Sequence, residues 1–128
     1  MSSIYIAGHF ARQASLRSVA TVLRSMGHVV TSRWLDEVGH PTPDSTHWYS
    51  IGERDLEDIR AADCLLLDTT DITPRGGREF ETGYAHALGK PFYILGPHRS
   101  VFHYRAAAVF ASTTDLLRFF EGGAPDAL

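Results

Sequence analysis

Three short, uninterrupted apolar runs punctuate the chain: Ile4-Tyr5-Ile6-Ala7, Cys64-Leu65-Leu66-Leu67 and Phe92-Tyr93-Ile94-Leu95. Longer segments with apolar residues at helical spacing lie between them. A strand that is apolar at every position is buried on both faces. Such strands alternating with amphipathic helices require a parallel sheet covered on either side. His28-Val29-Val30-Thr31-Ser32 adds a further strand, and Ala107-Ala108-Val109-Phe110 a short last one. Leu16, Val19, Ala20, Leu23 and Met26 predict a helix from about Ala11 that Gly27 stops. Other helices are expected from about His47 to Ala61, over Gly76–Gly89, and after Ser112-Thr113-Thr114-Asp115. That last tetrapeptide resembles a capping box with Asp in place of the usual Glu. Asp36 to His47, holding Gly39, Pro41 and Pro43, reads as a loop. The expected architecture is α/β: a single-domain, doubly wound, five-stranded parallel sheet in the order 2-1-3-4-5, flavodoxin-like or Rossmann-like. The domain covers residues 1–121, with a frayed tail over 122–128.

Sheets of this kind bind ligands beyond the carboxyl ends of the strands, near the switch point between strands 1 and 3. The loops there are Gly8–Arg12, Asp68–Gly77 and Gly96–Tyr104. The net charge of −3 argues against a nucleic-acid polymer as partner, but a single nucleotide needs only one or two local donors. Met1 is followed directly by a strand pattern, with no signal peptide and no membrane-length apolar stretch, so a cytoplasmic protein without membrane partners is expected. The one cysteine, Cys64, reads as a small core residue. The histidines show no metal-ligand spacing, and His86 and His98 read as surface or supporting groups.

The run Arg75-Gly76-Gly77-Arg78-Glu79-Phe80-Glu81 places two glycines at a helix start and a carboxylate one turn in. A helix start gathers unpaired N–H groups and positive dipole and can receive a phosphate or a sugar hydroxyl. A carboxylate held beside it can serve as nucleophile or base. Glu81 has the apolar neighbours Phe80 and Tyr84, and Gly83 would let another backbone approach closely. Asp55, on the preceding helix, could meet Glu81 at the cleft. Among Glu53, Glu57 and Asp58, however, it reads as an exposed helix acid. Glu79 reads as a solvated neighbour, Arg78 as an exposed cation, and Trp34 and Trp48 as core residues bordering the long loop.

Glu81-Thr82-Gly83-Tyr84-Ala85-His86-Ala87-Leu88-Gly89-Lys90-Pro91, with Gly77 four residues before the Glu, resembles a segment of the nucleoside 2-deoxyribosyltransferase family. Asp55-Leu56-Glu57-Asp58-Ile59 with Ala62-Asp63 resembles a second family segment, and Ile4-Tyr5-Ile6-Ala7-Gly8 the opening strand; together they span roughly residues 3–97. The chain is also similar to small phage and actinobacterial proteins in its Arg33-Trp34-Leu35 and Val101-Phe102-His103-Tyr104 segments. The resemblance implies an enzyme cleaving the N-glycosidic bond of a 2'-deoxynucleoside or its 5'-monophosphate. Sugar would pass to another base or to water. Glu81 would be the nucleophile, forming a 2-deoxyribosyl ester without metal or cofactor. Asp55 would protonate or hydrogen-bond the departing base, Tyr5 would hold the nucleophile, and Gly8 would be the close-approach glycine of the first loop.

The departures bear on substrate. Six residues before the nucleophile, the transferases carry an aspartate and the monophosphate hydrolases a serine; this chain has Arg75. Arginine suits a 5'-phosphate, which Arg12 and Arg78 could join, beside Gly76 and Gly77. His9 and Phe10 could pack against the base. In the family, one subunit completes its neighbour's pocket, so His103 and Tyr104 are the candidates in trans and a homodimer or larger homo-oligomer is expected. The alternative is a catalytically silent nucleotide-binding sensor using the same cleft. A flavodoxin-like mononucleotide binder is disfavoured, since no Ser/Thr phosphate loop follows strand 1.

Overall fold

Parallel strand pairing begins at the centre of the sheet. A computed structural model describes residues 1–38, 45–72 and 76–122. In it β1 (Ser3–Ala7) lies between β2 (Val29–Val30) and β3 (Cys64–Asp68). β4 (Phe92–Leu95) and β5 (Ala108–Phe110) extend the other side, giving five parallel strands in the order β2-β1-β3-β4-β5. The register pairs Tyr5 with Leu65 and Leu66 with Tyr93. Every residue of β3 and β4 is buried, as the unbroken apolar runs require. The helices are α1 (Gln13–Ser25), α2 (Ser45–Arg60), α3 (Gly77–Ala87) and α4 (Thr113–Glu121). Ser112 Oγ accepts the Asp115 amide at 3.2 Å, which caps α4 as the sequence suggested. The expected tail over 122–128 lies outside the described residues apart from Gly122.

β2 is shorter than the apolar pattern predicts. Only Val29 and Val30 pair with β1. His28 turns its ring into the core, accepting the Ser2 amide at Nδ1 and meeting the Phe120 carbonyl at Nε2. Farther along, side chains take the place of the ladder. Ser32 Oγ accepts the Ile6 amide at 3.0 Å, and Trp34 Nε1 donates to the Ile6 carbonyl at 2.7 Å. The backbone groups of a central strand must be paired, and here two side chains do it. That releases the chain to form a short 3-10 turn, Arg33–Asp36, directly after the residues expected as strand. Asp36, the last residue of that turn, opens the expected loop, whose residues 39–44 lie outside the described residues.

α2 and α3 cover the same side of β1 and β3. Arg60 Nη1 donates to Tyr84 Oη at 2.9 Å, tying their carboxyl-terminal ends together. Ile59 and Ala85 are fully buried beneath them. Asp55 and Glu81 stand one turn before these two residues, so the i,i+4 stripe that packs on the sheet also carries both acids inward.

Candidate active site

β1 delivers the first component. Tyr5 is fully buried, and its hydroxyl donates to Glu81 Oε2 at 2.6 Å. Glu81 comes from the second turn of α3, whose start is shaped by Gly76 at φ +82°, a conformation that favours glycine. Asp55 reaches the same place from α2, and the two acids line one cleft of about 210 Å³. Gly8, Phe10, Trp34, Glu37, Ile51, Gly77 and Arg78 complete its lining. Gly8 is required for close approach: a Cβ there would stand 2.6 Å from Leu16 Cδ1 and 3.4 Å from Asp68 Cβ.

Three ionisable groups are perturbed together. Burial pushes Glu81 up to about 8; the Tyr5 hydrogen bond opposes this, and the Asp55 charge adds to it. Burial likewise pushes Asp55 up to about 6, against the pull of Arg54. Tyr5 is raised well above the usual phenol range, first by burial and then by the charges of Glu81 and Asp55, so it remains a hydrogen-bond donor. Between the two carboxyl values the pair holds about one proton, so one carboxyl is ionised while the other is not.

Asp55 is not the exposed helix acid its neighbours suggested: its side chain is 18% exposed and bound by Arg54. Arg78 also departs from an exposed cation. Its side chain is 9% exposed, and Nη1 donates to the Asp68 carbonyl at 3.0 Å. Arg12 Nε donates to the buried Asp68 carboxylate at 3.0 Å, so a single aspartate at the end of β3 gathers both arginines. Of the first loop, Gly8 and Phe10 line the cleft, while His9 Nδ1 accepts the Ala11 amide and caps the short turn Phe10–Arg12. Gly77 lines the cleft, and Gly76 precedes it as the helix cap. Arg75 lies outside the described residues.

His103 is not in this cleft within its own chain. It is buried on the opposite side of α3, accepting the Arg99 amide at Nδ1 and meeting Glu79 Oε2 at 3.0 Å. It lines a second cavity of about 470 Å³ with Glu79, Thr82, Gly83, His86, Phe92, Phe102 and Arg105. Among the described residues, nothing stands within 4 Å of where a Cβ on Gly83 would lie. Trp48 is 54% exposed rather than core, whereas Trp34 is buried as expected.

Sequence reasoning missed Asp68, Glu37, Arg54 and Ile51. Asp68 had a visible signal, an acid ending an apolar run at the switch point. Glu37 and Ile51 flank a long loop whose path no periodicity predicts. Among the described residues, no group of three or more His, Cys, Asp or Glu is placed to hold a metal, and no helix is long and apolar enough to cross a membrane.

The fold is shared with solved structures. A 2-deoxyribosyltransferase from Bacillus psychrosaccharolyticus is 27% identical, with a TM-score of 0.72 over 90% of each chain. The CMP N-glycosidase of Clostridium botulinum is 15% identical, with a TM-score of 0.63 over 93% of this chain and 98% of that one. A 2-desoxiribosyltransferase from Leishmania mexicana is 21% identical, with a TM-score of 0.62 over 95% and 98%; at these lower identities the likeness is one of fold. No curated protein sequence matches the chain. The family model for nucleoside 2-deoxyribosyltransferase matches residues 4–116. With that match spanning nearly the whole sheet and both acid-bearing helices, the chain belongs to the nucleoside 2-deoxyribosyltransferase family, enzymes of N-glycosidic bond cleavage and transfer.

Proposed function

We propose that the protein cleaves the N-glycosidic bond of a 2'-deoxynucleoside or 2'-deoxynucleoside 5'-monophosphate through a 2-deoxyribosyl ester on Glu81. The observation that carries this reading is the 2.6 Å hydrogen bond from buried Tyr5 to Glu81, which lines one cleft with Asp55. In the first step a Glu81 carboxylate oxygen bonds to C1', the C1'–N bond breaks, and Asp55 gives its proton to the base nitrogen. In the second step an acceptor base, or water, attacks C1' and returns Glu81 to the carboxylate, while Asp55 takes up the acceptor's proton. The absent 2-hydroxyl favours the oxocarbenium character of both steps. The same intermediate serves transferase and hydrolase.

Asp68 supports a 5'-monophosphate by holding Arg12 and Arg78 near the start of α3. Arg75 is proposed as a third phosphate contact. Exposed Phe80, Val101 and Phe102, with Tyr104 at 73% exposure, support a homodimer through the outer side of α3. In such a dimer Tyr104 reaches the neighbour's cleft more readily than His103, which its own chain encloses.

Free base is followed by chromatography after incubation with deoxynucleosides and their monophosphates, with and without an acceptor base. Release without acceptor identifies a hydrolase, and exchange only with acceptor a transferase. Binding without turnover across the panel would reject the enzyme reading in favour of a sensor. Arg75→Ala should weaken monophosphates selectively; equal loss for nucleosides would reject the phosphate contact.

A further inference from the structure

A chain of opposite charges runs along the cleft wall behind Asp55. Arg54 Nη2 lies 3.3 Å from Asp55 Oδ1 and 3.1 Å from Glu37 Oε2. All three side chains are largely enclosed, at 26%, 18% and 18% exposure for Arg54, Asp55 and Glu37. Glu37 is fixed independently of Arg54. Its amide donates to the Trp34 carbonyl, and its own carbonyl accepts Gln13 Nε2 at 2.8 Å. Gln13 also donates to the Trp34 carbonyl, so α1 braces this segment against the cleft.

We propose that Glu37, Arg54 and Asp55 act as one unit, in which Arg54 holds the Asp55 carboxyl toward the leaving base and Glu37, as counter-charge, keeps that carboxyl able to retain its proton. The proposal rests on the reading of Asp55 as the acid. Arg54 and Glu37 are positioning residues; they act on the reaction through Asp55. A guanidinium this close, uncompensated, favours the ionised form and pulls Asp55 down, narrowing the pH range over which it holds a proton to give. Burial raises Asp55 to about 6 against that pull, and the Glu37 carboxylate, paired with the same guanidinium, adds to the rise. The other groups facing Asp55 are Asp58 from its own helix, Glu81 and Arg78 from α3, and Tyr5 from β1. Glu37 and Asp58 push in the same direction, against Arg54.

Two substitutions must therefore act with opposite signs. Arg54→Met should move the Asp55 titration, and with it the acid limb of kcat/KM for base release, up by at least about one pH unit. Glu37→Gln, which preserves shape, should move both down. Arg54→Lys should restore much of the shift. The titration is read by carboxyl-carbon NMR, with the Asp55 signal assigned through Asp55→Asn, and the limb by chromatographic base release across pH. Opposite displacements in both readouts support the proposal. An Asp55 titration unmoved in both variants, or moved the same way in both, overturns it. Opposite titration shifts with an unmoved acid limb overturn the role of the unit in the reaction. Opposite shifts in a protein that releases base from no substrate would instead retire the reading of Asp55 as an acid and leave the electrostatic bridge standing.

Discussion

Helix α3 carries Glu79 and Glu81 on opposite sides, and each has a hydrogen-bonded partner, but their surroundings differ in kind. Glu81 faces the sheet, meets a buried phenol at 2.6 Å and borders a cleft of about 210 Å³. Glu79 faces outward, is 45% exposed, meets the His103 imidazole at 3.0 Å and borders a cavity of about 470 Å³. The larger cavity borders the more exposed of the two acids. Reactivity follows desolvation and the company of a second acid. Glu81 has both, whereas Glu79 is partly hydrated and has an imidazole rather than a second acid beside it.

The widest separation between the two sides should come from alanine. Glu81→Ala should lower base release by about a thousandfold or more, as loss of a nucleophile does, while Glu79→Ala should change it less than about twofold. Comparable losses from both would erase the distinction. Asp55→Asn should cost about 10²- to 10⁴-fold in the same assay. The pH profile sharpens the contrast further. With Asp55 at about 6 and Glu81 at about 8, kcat/KM should form a bell between those values. Below it both acids are protonated and no nucleophile is present; above it both are ionised and no acid remains. A flat profile across that range would show that the pair does not share the working proton.

Tyr5→Phe should then cost about 10- to 100-fold, the worth of one charge-assisted hydrogen bond, and raise the upper limb because the bond that favours the Glu81 carboxylate is gone. Stability should respond in the opposite sense to activity. A carboxyl whose folded value is raised binds its proton more tightly folded than unfolded, so its cost to the fold grows as pH rises from about 4.3 and is complete above about 8. Glu81→Gln should therefore unfold at a higher temperature than the unaltered protein, by a margin that widens over that window. On the far side of the helix, His103→Ala should cost about 1–3 kcal/mol of stability and leave base release nearly unchanged.

The sheet order was legible because three of its strands are unbroken apolar runs, and a parallel sheet allows few arrangements of them. Glu81 and Asp55 were legible by motif rather than by pattern. Charge clustering on α2 hid Asp55, because helical spacing alone does not say that the stripe carrying Ile59 continues inward past it. Arg78 was hidden for a related reason: its anchor is a carbonyl at the end of β3, and no sequence pattern announces a backbone acceptor. The enclosure of His103 against Glu79 was not legible, because the identity of a loop residue does not fix which side of a helix the loop will cover. The shortened β2 was hidden because Ser32 and Trp34 replace backbone pairing through side chains, an exchange that periodicity does not register.

That exchange constrains how the cleft can change. The Trp34 indole that pairs the Ile6 carbonyl is also part of the cleft lining. Replacing it to widen the cleft would expose an edge of the central sheet, so substrate range and foldability are tied together at this wall. Diversification of the binding surface is channelled elsewhere, toward Ile51 on α2, where a change of side chain leaves the sheet intact. A lineage altering what it accepts would therefore be expected to vary at Ile51 first and to hold the tryptophan fixed.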